Sequence, residues 1–159
     1  MTDQTPAAQP RTGTLTIQKI YVKDLSFEAP HAPLIFTEQY KPNVDIQFAN
    51  EATPIRDDLH EVVITVTVTV KYEDKVAYLA EVQQAGIFNI GGFPPEHMAA
   101  LFATVCPNIL FPYAREAISD LGTRGGFPQL LLAPINFEHL YAQELRRRQE
   151  AAAAGGTSH

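Results

Sequence analysis

Residues 61–72 read EVVITVTVTVKY, and the alternation within them decides the fold class. Successive side chains of an extended chain point to opposite sides. Val62, Ile64, Val66, Val68, Val70 and Tyr72 therefore share one face, while Thr65, Thr67, Thr69 and Lys71 share the other. Such a strand belongs to an antiparallel sheet with one face on a core and the other toward solvent or a partner. Downstream, Glu73-Asp74 forms a hairpin turn into a second run, 76–90, which aligns Val76, Tyr78, Ala80 and Val82. Upstream, Tyr40 to Phe48 sets Tyr40, Val44, Ile46 and Phe48 on one side. Pro42 cannot donate a ladder hydrogen bond, so this strand is expected at an edge or bulged. Nearer the N-terminus, Leu15 and Ile17 lie on the odd face but Ile20 and Val22 on the even one. A bulge near Gln18-Lys19 reconciles the two. Four mainly antiparallel strands result.

The second half changes character. Pro94-Pro95 suits a helix entry, and Glu96 to Val105 predicts a short helix ended by Pro107. A second helix follows, with Leu110, Ala114, Ala117, Ile118 and Leu121 as its apolar stripe. Pro112 lies near its first turn, and Gly122, Gly125 and Gly126 end it. Asn136 caps a third helix, with Ile135 and Leu140 placed as a hydrophobic staple. Arg146, Arg147 and Arg148 are expected at its C-terminus, either as cations opposing the helix dipole or as a basic recognition patch. Residues 1–13 are polar and rich in Pro and Thr, so a mobile arm is expected there, and a loose tail over 149–159. One domain, 14–148, lies between.

Composition bounds the function. The 159 residues are 45% hydrophobic and 19% charged, a globular balance, and the net charge of -6 argues against a nucleic-acid backbone as partner. Basic or mixed-charge unfolded chains suit it better. A single cysteine, Cys106, forms no intrachain disulfide and suits a reducing cytoplasm. The stretch MTDQTPAAQPRTG lacks the apolar core of a secretory signal, and no run approaches 18 apolar residues. Walker A, GxGxxG, GxSxG and HExxH patterns are all missing, and Gly91-Gly92 and Gly125-Gly126 have no following Lys-Ser/Thr. Cys106 has no basic neighbour and reads as a buried structural thiol. The five histidines show no ligand spacing, so no metal or other cofactor is expected. Asp57-Asp58 with His60 is a solvated turn, or else a metal or acid/base site. The loop Phe127–Pro134 is unusually apolar. It either tucks over the sheet as ordinary core or forms one wall of an apolar groove.

Four strings carry a resemblance: IQKIYVKDLSFEAPHAP from Ile17, EVQQAGIFNI from Glu81, CPNILFPYARE from Cys106 and GGFPQLLLAPINF from Gly125. Together and in this order they resemble SecB, the bacterial protein-export chaperone family, with similarity from about Leu15 to Leu145. The resemblance implies an α+β fold, a four-stranded antiparallel Greek-key sheet with the C-terminal helices on one face. It also implies a homotetramer, a dimer of dimers, with Ala80, Val82 and Gln84 near the subunit contacts. Strands 15–27 and 76–90 leave a place for such assembly, since both faces carry apolar residues and one helix layer covers only one. The implied activity is to hold unfolded precursor proteins without ATP and deliver them to SecA. For clients the family implies grooves, with Val44, Ile46 and Phe48 matching one wall and Phe127, Leu130 and Leu132 the other. Asp24, Glu28, Leu79 and Glu81 match the surface that receives SecA's zinc-bearing C-terminal tail. Ala80 stands where some relatives carry cysteine, and the tail is Ala/Gly-rich rather than acidic. Two rivals stand beside this reading. One is a SecB-like chaperone serving a toxin–antitoxin pair. The other is a small hydrolase or ligand-binding protein using Asp57, Asp58 and His60.

Overall fold

The four alternating runs pair into one antiparallel sheet in the computed structural model, which describes residues 13–156. The strands are β1 (Thr14–Glu28), β2 (Pro42–Arg56), β3 (Leu59–Tyr72) and β4 (Lys75–Gly91), in the order β1-β4-β3-β2. Hairpins join β2, β3 and β4, and a long connection returns β1 to the side of β4, which is Greek-key topology. The two tight turns, Asp57-Asp58 and Glu73-Asp74, place Asp57 (φ 45) and Glu73 (φ 56) in the left-handed region. Strand β2 lies at an edge, as Pro42 requires. Strand β1 shifts register between Ile17 and Lys19, where the bulge was expected, and again between Val22 and Asp24, where it was not.

The even face of the sheet is the core. Val62, Ile64, Val66 and Val68 have no exposed surface, and Tyr78, Val82, Phe88 and Ile90 of β4 continue the layer. Burying each such side chain contributes about 1.5–3 kcal/mol. Helices cover this face: α1 (Pro95–Ala100), a π turn (Leu101–Val105), α2 (Cys106–Arg124) and α3 (Phe137–Gly155). Leu110, Ala114 and Ile118 of α2 are fully buried, as the stripe predicted, and α2 lies mainly on β4 and β3. Cys106 is buried too, which pushes its thiol up to about 12.

Three helical expectations are corrected. Pro107 does not end a helix, because the chain from Pro95 to Arg124 is one continuous helical run. Cys106 N–H bonds the carbonyl of Leu101, five residues back, and the next carbonyl in that series, Phe102, finds no N–H on Pro107. Asn50 Nδ2 of β2 donates to that carbonyl instead, at 2.8 Å. The π turn thus accommodates the proline. This run is also long and apolar enough to cross a membrane by length and composition, although no such segment was expected; here it is packed on the sheet. Third, α3 does not stop at Arg148. Residues 149–155, expected as loose tail, are helical, in keeping with the high helix propensity of Ala151–Ala154. The arginines therefore sit mid-helix, where Arg147 and Arg148 pair with Glu144 at 2.8 and 3.1 Å. The N-cap is as expected, with His139 N–H donating to Asn136 Oδ1. The arm over 1–13, apart from Gly13, and the last three residues lie outside the described residues.

Candidate functional site

Two surfaces on opposite faces of the sheet bring together the residues singled out above. On the helix side, Val44, Ile46 and Phe48 of β2 stand opposite Val70, Val68 and Val66 of β3. Among the described residues no strand lies beyond β2, so this strip runs along an edge and Ile46 stays 43% exposed. Rings gather at both ends of it. Near Pro42, Tyr40 packs edge-on against Tyr72 with centroids 5.5 Å apart, and Phe36 meets Phe127 at 5.0 Å. Burial pushes the Tyr78 hydroxyl, in the same cluster, up to about 12. At the far end Phe48 meets Phe137 at 5.1 Å. Beside it opens a cleft of about 520 Å³ lined by Phe48, Ala52, Phe102, Phe137, Leu140 and Tyr141.

The segment 125–136 joins these two ends, because Phe127 touches the first cluster and Phe137 the second. Phe127 and Leu132 are buried, however, and Leu130 is half-buried and packed against the core. This loop is core underneath, and the apolar side chains exposed here are different ones. Leu131 is 72% exposed, and Leu34 and Phe36 of the β1–β2 connection are 74% and 49% exposed. Leu131 lies within the apolar loop singled out above, but Leu34 and Phe36 were not singled out, since exposure of this kind depends on packing across the chain. Gly126 (φ +88) turns the chain into this loop. Gly125 lets Phe27 approach, since a Cβ there would lie 2.2 Å from the ring.

The open face carries the acidic set. Glu28 stands directly opposite Leu79, Ser26 opposite Glu81 and Asp24 opposite Gln83, so Asp24, Glu28, Leu79 and Glu81 occupy adjoining positions on two strands. Thr67 Oγ1 donates to Glu81 Oε2 at 2.9 Å and orients it. Further along, Tyr21 hydroxyl donates to Glu61 Oε2, and Lys23 Nζ lies 2.8 Å from Glu61 Oε1. The Lys23 hydrogen bond, with that from Tyr21, holds the Glu61 carboxyl below its usual range. Burial and the adjacent Glu61 push the Tyr21 phenol up to about 12. Sequence reading missed this trio because Glu61 lies about forty residues from its partners.

Ala80, Val82 and Gln84 lie on the helix-covered face and are buried within the single chain. Gln84 Nε2 donates to the carbonyl of Tyr21, beside the second β1 bulge. Next to it, Val22, Leu25 and Tyr113 are left exposed where α2 stops short of β1. Asp57 and Asp58 form the β2–β3 turn. The His60 ring packs tilted against Phe102 at 4.9 Å, and its Nδ1 lies 3.3 Å from the carbonyl of Asp58 in the preceding turn rather than meeting a carboxylate.

An apolar edge groove on one face of a sheet and an acidic strip on the other define a protein built to bind other chains. The comparisons agree. A family model described as preprotein translocase subunit SecB matches residues 7–148. The chain is 50% identical to a protein-export protein SecB of Nitrosococcus oceani over 96% of this chain and 94% of that one. It is 53% identical to one of Pseudomonas fluorescens, over 95% and 96%. This chain belongs to the SecB family, which is a chaperone family. A SecB-like chaperone of Mycobacterium tuberculosis, solved with a ChAD peptide from an antitoxin, shares the fold. Its TM-score is 0.65 and its identity 20%, over 77% of this chain and 91% of that one.

Proposed function

We propose that this chain is an export chaperone that holds unfolded precursor proteins in the groove along β2 and delivers them to SecA from the cytoplasm. The observation that carries the reading is the Val44–Ile46–Phe48 strip, apolar, on a sheet edge and with aromatic rings at both ends. An extended segment of about nine residues spans about 30 Å. It fills such a groove with alternate apolar side chains, while hydrogen bonding to the β2 edge is independent of its sequence. Folded proteins offer no such segment, so selection follows folding rate. Each contact is weak, and several grooves on one assembly give avidity. The assembly is a homotetramer. In support, Ile17, Val22 and Leu25 on the uncovered flank of β1 and Tyr113 of α2 leave an apolar strip that one chain does not close. Asp24, Glu28, Leu79 and Glu81 receive the basic tail of SecA. Holding of this kind requires no ATP.

Light scattering with and without an unfolded precursor tests this. The expected mass is about four times 17.6 kDa, rising by the client's mass when precursor is added. A monomer at micromolar concentration that forms no complex would overturn both parts. Service to a toxin–antitoxin pair rests only on the mycobacterial neighbour's fold, against about half identity with export proteins.

A further inference from the structure

We propose that Glu61 is a positioning residue for the acidic docking surface, holding the Lys23 ammonium away from Asp24, Glu28 and Glu81. The inference rests on the reading that this surface receives SecA's basic tail. Lys23 is the extra residue of the second β1 bulge, between Val22, which pairs with Gln84, and Asp24, which pairs with Gln83. It is therefore a cation that adjoins the acidic strip beside Asp24. Its ammonium is drawn to Glu61 on β3, on the far side of β4. Tyr21 faces Ala85 of β4, and Ala85 faces Val63 of β3, two residues along from Glu61, so the phenol reaches Glu61 diagonally across β4. The Tyr21 hydroxyl and the Lys23 ammonium take different oxygens of one carboxylate. The carboxylate is thereby fixed, and the cation is neutralised on the side away from the patch.

Removing the Glu61 charge leaves one uncompensated cation on the open face. Asp24 beside it, Glu81 on the neighbouring strand and Glu51, which lines the same hollow, are the carboxylates left to attract it. A basic partner then meets a weaker field. Because Lys23 is exposed, the effect is modest and falls as salt rises.

The test is calorimetric titration with the zinc-loaded C-terminal peptide of SecA at low salt. Glu61→Gln is expected to weaken binding about fivefold. The double variant Lys23→Gln/Glu61→Gln is expected to recover to within twofold of wild type, since it removes the released cation. Affinity for an unfolded client, held on the opposite face, stays within twofold throughout. If the double variant binds as poorly as Glu61→Gln alone, or if Glu61→Gln binds like wild type, the positioning role is wrong. Glu81→Lys separates that failure from the other: if it too leaves peptide affinity unchanged, the docking surface itself is misplaced.

Discussion

Replacing Ile46 with Arg probes the client groove more cleanly than any change at its ends. Phe48 packs on Phe137 and Phe127 on Tyr78, so changes there disturb the chain's own core. Ile46 is 43% exposed on an edge strand and contributes little to the fold by comparison. Full burial of an isoleucine is worth about 1.5–3 kcal/mol, so a client that closes the open part gains about 1 kcal/mol from this side chain. Ile46→Ala should therefore weaken binding about fivefold. Arginine adds the desolvation of a guanidinium against an apolar segment, relieved in part when the head group reaches water. We expect a total loss of about 2–3 kcal/mol, on the order of 100-fold, and more where several grooves act together. Fluorescence anisotropy of a labelled, permanently unfolded client measures this directly, with the melting temperature as a control for folding. Binding by Ile46→Arg within twofold of wild type, at unchanged stability, would show that clients do not lie along β2.

Other expectations follow from the same geometry. Glu81→Lys should weaken binding of the SecA tail at least tenfold at low salt and much less at high salt, with client affinity near normal in the same titrations. Gly125→Ala should cost about 1–3 kcal/mol in a denaturant titration, since its Cβ and the Phe27 ring cannot share a space 2.2 Å wide, and the loop carrying Leu131 should bind clients less well. Asn136→Ala removes the acceptor of His139 N–H; a loss of about 1 kcal/mol is expected, with faster amide exchange in the first turn of α3. Cys106 keeps its proton in the fold up to about 12 but loses it near 8.5 when unfolded. The native state then binds more protons than the unfolded one between those values, so stability falls as pH rises above about 8.5. Cys106→Ala should flatten that slope, which pH-dependent melting would reveal.

The sheet was legible wherever one face is buried. From Val62 to Tyr72 every second residue had to be apolar, and the switch of face between Ile17 and Ile20 demanded the first β1 bulge. Beyond Phe48, β2 continues as Ala49-Asn50-Glu51-Ala52-Thr53, an edge segment with little to bury and no alternation to read. The second bulge, at Lys23, was legible in the same way, from the switch between Ile20 and Val22 on one parity and Leu25 and Phe27 on the other, and was overlooked. Pro107 read as a helix end because proline removes a donor. The carbonyl it strands is rescued by a side chain more than fifty residues away, and that lay beyond any local rule. The acidic quartet came from resemblance, and register then showed it contiguous. Ala80, Val82 and Gln84 came the same way, and the fold places them in the buried layer of the single chain.

The bond from Asn50 to the Phe102 carbonyl makes positions 50 and 107 energetically interdependent. With proline at 107, losing the Asn50 amide strands a carbonyl inside the helical run, a cost of about 1–3 kcal/mol. With alanine at 107 that carbonyl has an N–H of its own, and the same change at 50 should cost little. The two substitutions are epistatic. A double-mutant cycle should find the Asn50→Ala penalty reduced in a Pro107→Ala background. Drift at either position is thereby conditioned on the other, and the edge strand β2 cannot change at residue 50 without regard to a proline in the helix that backs it.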